Sequence, residues 1–577
     1  MGWPYHFLDL TEAEKLARRQ AIDRYATYAH VSALIPVAVF VVLRLGSRLV
    51  RTATSSRGAY AAVSGSPRQK QHRVSLAGSW SRSIRKAVWW LGDDVVVFGQ
   101  RRGQWGQMIA GIAWTLWLLF LSVAGTGSDY LHLTKRLGFV AISQFPIQYL
   151  MALKNLNPLA FAFNSSHEQV NRWHRVLGLI IYLLLTLHAF LYLNFYIQQG
   201  ILSNKLVQLV PLLGIAAFAG MSVLNITALS FVRQYSYRVF FITHIIVAFA
   251  LPLIVFFHAR SSSFYVAEAL VVFIVDLAKR KYDSITAKTS LEAIPGTDLI
   301  KIVASVPAQT ASRFRETPGS HVYLNVPTTS RPSQNPLATA HLVFEFVFSP
   351  FTVASINEEA GELTLVARCH DGPMTRAFAN FANASSADTK VPLTLEGPYG
   401  CATRFPSLAS SEFDRVLLVA GGVGATFILP IYRSILHENP AARVQMVWAV
   451  RGAGDATWPM PGKGETSILE DNNVQLFLTG NLLEDGSSNA GPSDASEGVE
   501  MDTISKARTD GKSASTHNRN RPNLQKIVDD VFKQGVEDRV AVLVCGPEEM
   551  ARELRSYVGV WVKKGRQVWW HNESFAW

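Results

Sequence analysis

Four histidines stand in two apolar stretches at one repeated spacing: His174 and His188, then His244 and His258, each pair 14 residues apart. At about 100° per residue, such a step on a helix is about four turns less 40°, so both members look the same way at levels about 21 Å apart. An imidazole inside a membrane helix is costly and points to a functional partner. Two helices running in one direction would set His174 opposite His244 and His188 opposite His258. Imidazole nitrogens facing across a bundle core suit two six-coordinate b-type haems, with both axial positions of each iron filled by protein. That closed coordination favours electron transfer over binding of a ligand at iron. A lone hydrogen-bonded packing histidine is the bland alternative, and the doubled spacing argues against it. A single four-histidine metal site competes poorly, because ligands about 21 Å apart cannot close around one ion. His30, His132 and His167 lie outside the pattern and read as surface or interfacial residues.

A second constellation sits near the end of the chain. RVLLVA reads as a strand, GGVGAT as a glycine turn, ILPIYRSILHE as a helix and VQMVWAV as the next strand, which together form a βαβ unit. Gly421, Gly422 and Gly424, followed by Thr426, would let backbone approach a pyrophosphate that also gains from the helix N-terminus. A plain tight turn would look the same in isolation. VLVCGP supplies a second strand-end turn with Cys545, Gly546 and Pro547, consistent with a nucleotide lying across strand carboxyl ends.

The elements that must hold the histidines are membrane helices. Apolar stretches at 27–45, 106–126, 137–153, 174–196, 206–229, 237–257 and 264–278 approach the length that crosses about 30 Å of hydrocarbon. The count is seven, or six with a re-entrant piece, since the third and seventh are short. Loops on one side carry 19 Lys and Arg residues, 11 of them between the first two spans, against four on the other: Lys135, Arg136, Lys205 and Arg260. The positive-inside rule therefore places the basic loop and the C-terminal half in the cytosol. MGWPYHFLDL lacks a basic segment followed by an apolar one, so a cleaved signal peptide is not expected. The Ser- and Arg-rich stretch 51–86 reads as a mobile solvated loop.

Composition agrees with this division. The 577 residues are 49 % hydrophobic and only 17 % charged, which excludes a wholly disordered chain. A net charge of +12 in so apolar a chain suits an acidic membrane surface better than nucleic acid. Cys369, Cys401 and Cys545 are too few for a disulfide framework or a four-thiolate metal site, and fit a reduced compartment. Four regions follow: residues 1–105 with the first span and basic loop, a membrane dihaem domain at 106–280, a small antiparallel barrel at 285–405 and a nucleotide-binding domain at 413–577. The barrel is read from LIKIVASV, SHVYLNV, HLVFEFVF, ELTLVARC and PLTLEGPYG. Residues 484–523, rich in Ser, Gly, Asp and Asn, are expected to be a disordered insert in the last domain.

Taken together, RWHR around His174, the two histidine pairs, the span before RQYSYR, PGSHVYL, SPFTVAS, HDGPMTRAF, LEGPYG, AGGVGATFILP, CGP and the terminal ESFAW resemble the fungal ferric-chelate reductases, with NADPH oxidases as cousins. The resemblance implies a multidomain membrane protein: an all-α haem bundle, then an antiparallel β-barrel for FAD, then an α/β domain for NADPH, ferredoxin-reductase-like in the last two. It implies that Pro350, Phe351 and Thr352 meet the flavin ring, that Gly372 and Thr375 meet the FAD pyrophosphate, and that Trp577 covers the flavin and yields to nicotinamide. Arg451, after VQMVWAV, is placed to pair with the 2′-phosphate of NADP. Ser349 stands where the family has histidine. The implied activity is transfer of electrons from cytosolic NADPH through FAD and two haems to ferric iron or its chelates on the far face. Lys135 and Arg136 could attract an anionic chelate there or pair with haem propionates. Superoxide production, a redox step of specialised metabolism and a redox-inactive scaffold are the alternatives. The plasma membrane is the expected location, with a vacuolar or other internal membrane equally compatible in topology; an iron permease or a second copy of the chain stays open as partner.

Overall fold

The computed structural model describes the chain except residues 1–3, 56–78, 99, 332–340, 342–343, 345–347, 385–389, 460–467, 481–519, 536 and 575–577. It divides into two compact units. Residues up to 59 and from Trp90 to Tyr282 form one; residues from Asp283 onward form the other, together with the stretch ending at Trp89.

The first unit is helical. Among the described residues, six helices are long and apolar enough to cross a membrane: Glu12–Gly46, Trp105–Val123, His167–Gln198, Leu209–Thr227, Tyr237–His258 and Arg260–Asp283. Their outer faces carry large apolar side chains that water would not tolerate in such number. Leu116 is 61 % exposed, Leu179 62 %, Phe190 59 % and Ile246 56 %. Lipid is the solvent that satisfies such faces, while the backbone bonds close within each helix. The chain is an integral membrane protein.

The expected span 137–153 is not one helix. It is split into Tyr130–Ile142 and Phe145–Ala152, separated by Ser143 and Gln144. The break is stabilised by polar contacts: Gln144 donates to the Ala29 carbonyl at 3.0 Å, and Ser143 offers its own carbonyl to the His30 ring at 2.9 Å. Both residues are fully buried, so their polar groups need these partners. Arg136, read from the sequence as able to attract a chelate or pair with a propionate, is buried, with Nη1 donating to the carbonyls of Leu121 and Ala124 at 3.2 and 3.3 Å. It caps the C-terminal end of the helix Trp105–Val123.

The second unit contains a closed antiparallel barrel and a parallel sheet. Two short strands, β1 (Asp94–Val97) and β2 (Gln100–Gln104), form a hairpin in the first unit. The barrel strands are β3 (Ile285–Ala293), β4 (Leu299–Ser305), β5 (His321–Asn325), β6 (Ser349–Asn357), β7 (Glu362–Arg368) and β8 (Val391–Tyr399). They close in the order β3-β4-β7-β6-β5-β8, with Leu291, Ile302, Leu324, Leu365 and Leu393 filling the interior. Four of the expected strand segments are found. The fifth, HLVFEFVF, lies largely outside the described residues, and β3 and β6 complete the barrel.

The sheet consists of β9 (Arg415–Gly421), β10 (Val444–Val450), β11 (Val474–Leu478), β12 (Arg539–Cys545) and β13 (Gln567–Glu573), in the order β11-β10-β9-β12-β13. Every pairing is parallel. Such strands are covered on both faces, which is why β9 and β12 read as continuous apolar runs. From β9 the chain builds outward through β10 and β11, then returns to place β12 on the other side of β9. The carboxyl ends of β9 and β12 therefore form the topological switch point, where α/β sheets open a crevice for ligand. Residues 481–519, which hold most of the expected insert, lie outside the described residues.

Candidate functional site

The histidine pairs come from the helices His167–Gln198 and Tyr237–His258. The first runs 32 residues without interruption, so the 14-residue step survives as geometry. His174 and His244 face each other with ring centroids 6.1 Å apart. Two nitrogens bound to opposite sides of one metal at about 2 Å each would stand about 4 Å apart. A centroid separation of 6.1 Å, with the rings tilted by 58°, leaves room for that arrangement. At the other level the same two helices carry His188 and His258.

Hydrogen bonds orient the rings. His174 Nδ1 meets the Gln148 carbonyl at 2.9 Å, His188 Nδ1 meets Thr134 at 2.7 Å and His258 Nδ1 meets Val210 at 2.8 Å. A carbonyl can only accept, so in each case Nδ1 carries the proton and Nε2 keeps its lone pair. This is the tautomer that a metal requires, with an outer hydrogen bond holding the ring. His244 lacks such a bond: its Nδ1 is buried with no hydrogen-bond partner. The donor set thus fits a haem at each level.

Two glycines make the outer pair's bonds accessible. A Cβ on Gly138 would come within 2.7 Å of His188 Nδ1, and one on Gly214 within 2.6 Å of His258 Cε1. Gly138 lies four residues after Thr134, and Gly214 four after Val210. In both helices the missing side chain exposes the carbonyl one turn back to the imidazole. These seats were not anticipated from the sequence; a glycine inside an apolar helical run, where it costs about 1 kcal/mol against Ala, was the available signal.

In the second unit the two strand-end turns meet backbone to backbone. Gly421 ends β9, Gly422 to Gly424 form a single 3-10 turn, and the helix Ala425–Glu438 follows. Gly422 has φ of 54°. A Cβ on Gly424 would fall 2.1 Å from the Cys545 carbonyl oxygen, and one on Gly421 2.6 Å from Pro547 Cδ. Gly546 is as tight, since its Cβ would lie 3.0 Å from Gly421 Cα. The buried Thr426 closes the turn by donating to the Val423 carbonyl at 2.8 Å, and the Trp448 indole pins it by donating to Gly422 at 3.0 Å. Arg451 sits just past β10, exposed. Burial, and then the nearby Glu573 carboxylate, push the Cys545 thiol well above its ordinary range.

Pro350, Phe351 and Thr352 lie on β6 opposite Tyr323, Val322 and His321 of β5. Thr352 is buried, and Phe351 packs its ring 5.6 Å from Phe378. Gly372 precedes the helix Pro373–Ala384, whose start is closed by Thr375 donating to the His370 carbonyl at 2.7 Å. Trp577 lies outside the described residues.

An apolar helical bundle carrying paired imidazoles, a closed barrel and a switch-point nucleotide sheet define a membrane-bound oxidoreductase of modular build. Comparison with known families bears this out: residues 137–255 match the ferric reductase like transmembrane component, 285–403 an FAD-binding domain and 413–559 the ferric reductase NAD binding domain. The chain belongs to the ferric reductase family. It is 23 % identical over 487 residues to ferric/cupric reductase transmembrane component 2 of Schizosaccharomyces pombe, covering 78 % of this chain and 82 % of that one. To the probable metalloreductase AIM14 of Scheffersomyces stipitis it is 22 % identical over 518 residues, covering 86 % and 90 %. Among solved structures, a ferredoxin NADP+ reductase from Neisseria gonorrhoeae with bound FAD and NADP aligns with 50 % of this chain and 98 % of its own at 14 % identity, with a TM-score of 0.30.

Proposed function

We propose that this protein uses NADPH to reduce ferric iron or a ferric chelate on the opposite face of a membrane. The observation that carries the reading is the set of Nδ1 bonds at His174, His188 and His258, which leaves Nε2 of each ring as an acceptor; at His174 that acceptor meets the Gln148 side-chain amide at 3.4 Å, a contact a metal would replace. His174 and His244 would hold the inner haem, His188 and His258 the outer. When bound, the flavin supplies the change from a two-electron hydride to single electrons, and the haems supply one-electron relays across the bilayer. The chain's own residues do the positioning. Pro350, Phe351 and Thr352 form the stretch of β6 that would meet the flavin ring, and Gly372 and Thr375 would shape the turn for its pyrophosphate. Gly421, Gly422, Gly424, Thr426, Cys545, Gly546 and Pro547 form the crevice for the dinucleotide. Arg451 would pair with the 2′-phosphate that distinguishes NADPH from NADH, and Trp577, by the family resemblance, would cover the flavin and yield to nicotinamide.

The acceptor reading draws on the relatives, which are named as ferric/cupric reductases and metalloreductases. The excess of Lys and Arg in alternate loops supports a cytosolic C-terminal half; plasma membrane residence rests on the family resemblance, and an internal membrane would have the same topology. Purified full-length protein in detergent, given NADPH and a ferric chelate, is expected to form Fe(II) at a rate unaffected by superoxide dismutase. Complete suppression by the dismutase would instead identify oxygen as the acceptor.

A further inference from the structure

β13 brings together three side chains that the electron-transfer reading does not require. His571 and Glu573 are two residues apart on this strand, so they share a face of the sheet. Cys401 reaches them from the turn after β8, at the end of the barrel. His571 Nε2 and Glu573 Oε2 are 2.7 Å apart, and Cys401 Sγ lies 3.7 Å from each. One donor atom from every residue falls within 4.8 Å of the other two. Cys401 is 5 % exposed and His571 7 %, so the cluster is nearly dry.

These separations are those of a metal site in waiting. Around a tetrahedral zinc ion, with bonds of about 2.3 Å to sulfur and about 2.0–2.1 Å to nitrogen and oxygen, ligand sulfur stands about 3.6 Å from a nitrogen or oxygen ligand, and those two stand about 3.4 Å apart. Both sulfur edges of the observed triangle already have that length. The third edge is short because a proton is shared across it, and it would open by about 0.7 Å once that proton gave way to a cation. The His571 ring is held for the purpose: Phe405 lies 4.5 Å away between centroids, Phe427 5.9 Å, and Trp569 stacks on it at 6.1 Å with 13° between planes. A thiolate, an imidazole and a carboxylate form a borderline-soft set that selects zinc over magnesium or calcium, and three protein ligands leave a fourth position open.

We propose that Cys401, His571 and Glu573 form a binding site for one zinc-class divalent cation, bridging the barrel's last turn to the last strand of the nucleotide sheet. Binding releases the Cys401 thiol proton, and the proton of the His571–Glu573 hydrogen bond leaves Nε2 for Nδ1 by exchange with water, so the imidazole stays neutral and both Nε2 and the carboxylate can ligate; no electron is transferred. The inference stands apart from the acceptor and the haems. Full-length protein in detergent, titrated with Zn²⁺ against a chromophoric chelator, is expected to take up one ion per chain. Zinc-edge X-ray absorption should then show one sulfur at about 2.3 Å among lighter ligands. C401S and H571A should each weaken uptake by about 100-fold or more, whereas C369S retains it. Failure of the wild type to bind stoichiometrically, a zinc shell without sulfur, or undiminished binding by C401S would overturn the proposal. The absorption measurement on the wild type decides the matter even where a variant fails to retain flavin.

Discussion

His174, His188 and His258 each have Nδ1 tied to a backbone carbonyl, so a substitution that keeps bulk but loses the ring removes both the imidazole proposed as a haem ligand and its orienting bond. Replacing His188 or His258 by Leu is expected to halve the haem content per chain, read as the pyridine haemochrome, while the inner level keeps its haem. Replacing His174 or His244 should remove the inner haem and abolish NADPH-dependent reduction of whatever outer haem remains. At Cys545 the expectation concerns protons. Because burial and Glu573 raise the thiol's pKa in the folded state, that state holds a proton which the unfolded chain gives up above about pH 8.5. The contribution to stability is fully present below that pH and is lost as pH rises through the folded value. C545A should therefore flatten the alkaline fall of the unfolding temperature, followed by thermal shift between pH 7 and 10. Cys545 and Cys401 are buried and Cys369 is half-buried, so alkylation of folded protein should label Cys369 first, as peptide mass spectrometry would show.

At the scale of elements, close approach decides what is tolerated. The switch point exists because Gly424 and Gly421 let the turn after β9 pack directly on the turn after β12. Gly424→Ala would drive a methyl group into the Cys545 carbonyl, where backbone must move. Overpacking of this kind costs about 1–3 kcal/mol, and loss of nucleotide affinity should accompany it. Gly452, beyond β10, has no heavy atom within 4 Å of the position an added methyl group would take, so Gly452→Ala should leave both quantities unchanged. Thermal unfolding and NADPH titration of the two variants make the comparison. Gly138→Ala is expected to displace the His188 ring and lower the outer haem's occupancy or shift its potential, leaving the inner haem spectrum intact. The sequence periodicity revealed the membrane helices and the histidine faces, because both follow from 3.6 residues per turn. It could not reveal that 137–153 breaks at Ser143 and Gln144, since that break depends on contacts with Ala29 and His30, more than a hundred residues away.

At the scale of the molecule, the basic loop is more than a topological signal. Its last part forms a helix, Ser79–Leu91, within the stretch expected to be mobile as far as residue 86. Trp89, itself part of the second unit, holds it there: the Arg555 guanidinium lies 4.2 Å from the ring centroid and donates to the Trp89 carbonyl at 2.9 Å. Trp570 meets the same ring edge-on at 5.9 Å, and Gly559 makes room for its indole. Trp89→Ala should destabilise the second unit by about 3 kcal/mol, and hydrogen exchange should rise across 79–91 and along the helix Glu548–Lys563. The bases in 51–86 were the local signal for an expected cytosolic loop, but the seat of Trp89 depends on Arg555 and Trp570, which are distant in sequence and carry no local mark of it.

Periodicity, charge distribution and glycine placement are local properties of the chain. They were enough to establish an integral membrane half, co-facing histidines, an antiparallel barrel and a strand-turn-helix nucleotide unit. The folded molecule alone determined which backbone carbonyls orient three of the imidazoles, which glycines admit the outer two, how the returning β12 sets its end turn against that of β9, and that Cys401 meets His571 and Glu573. Those are contacts between segments tens to hundreds of residues apart, where the energy of a close approach depends on both partners at once.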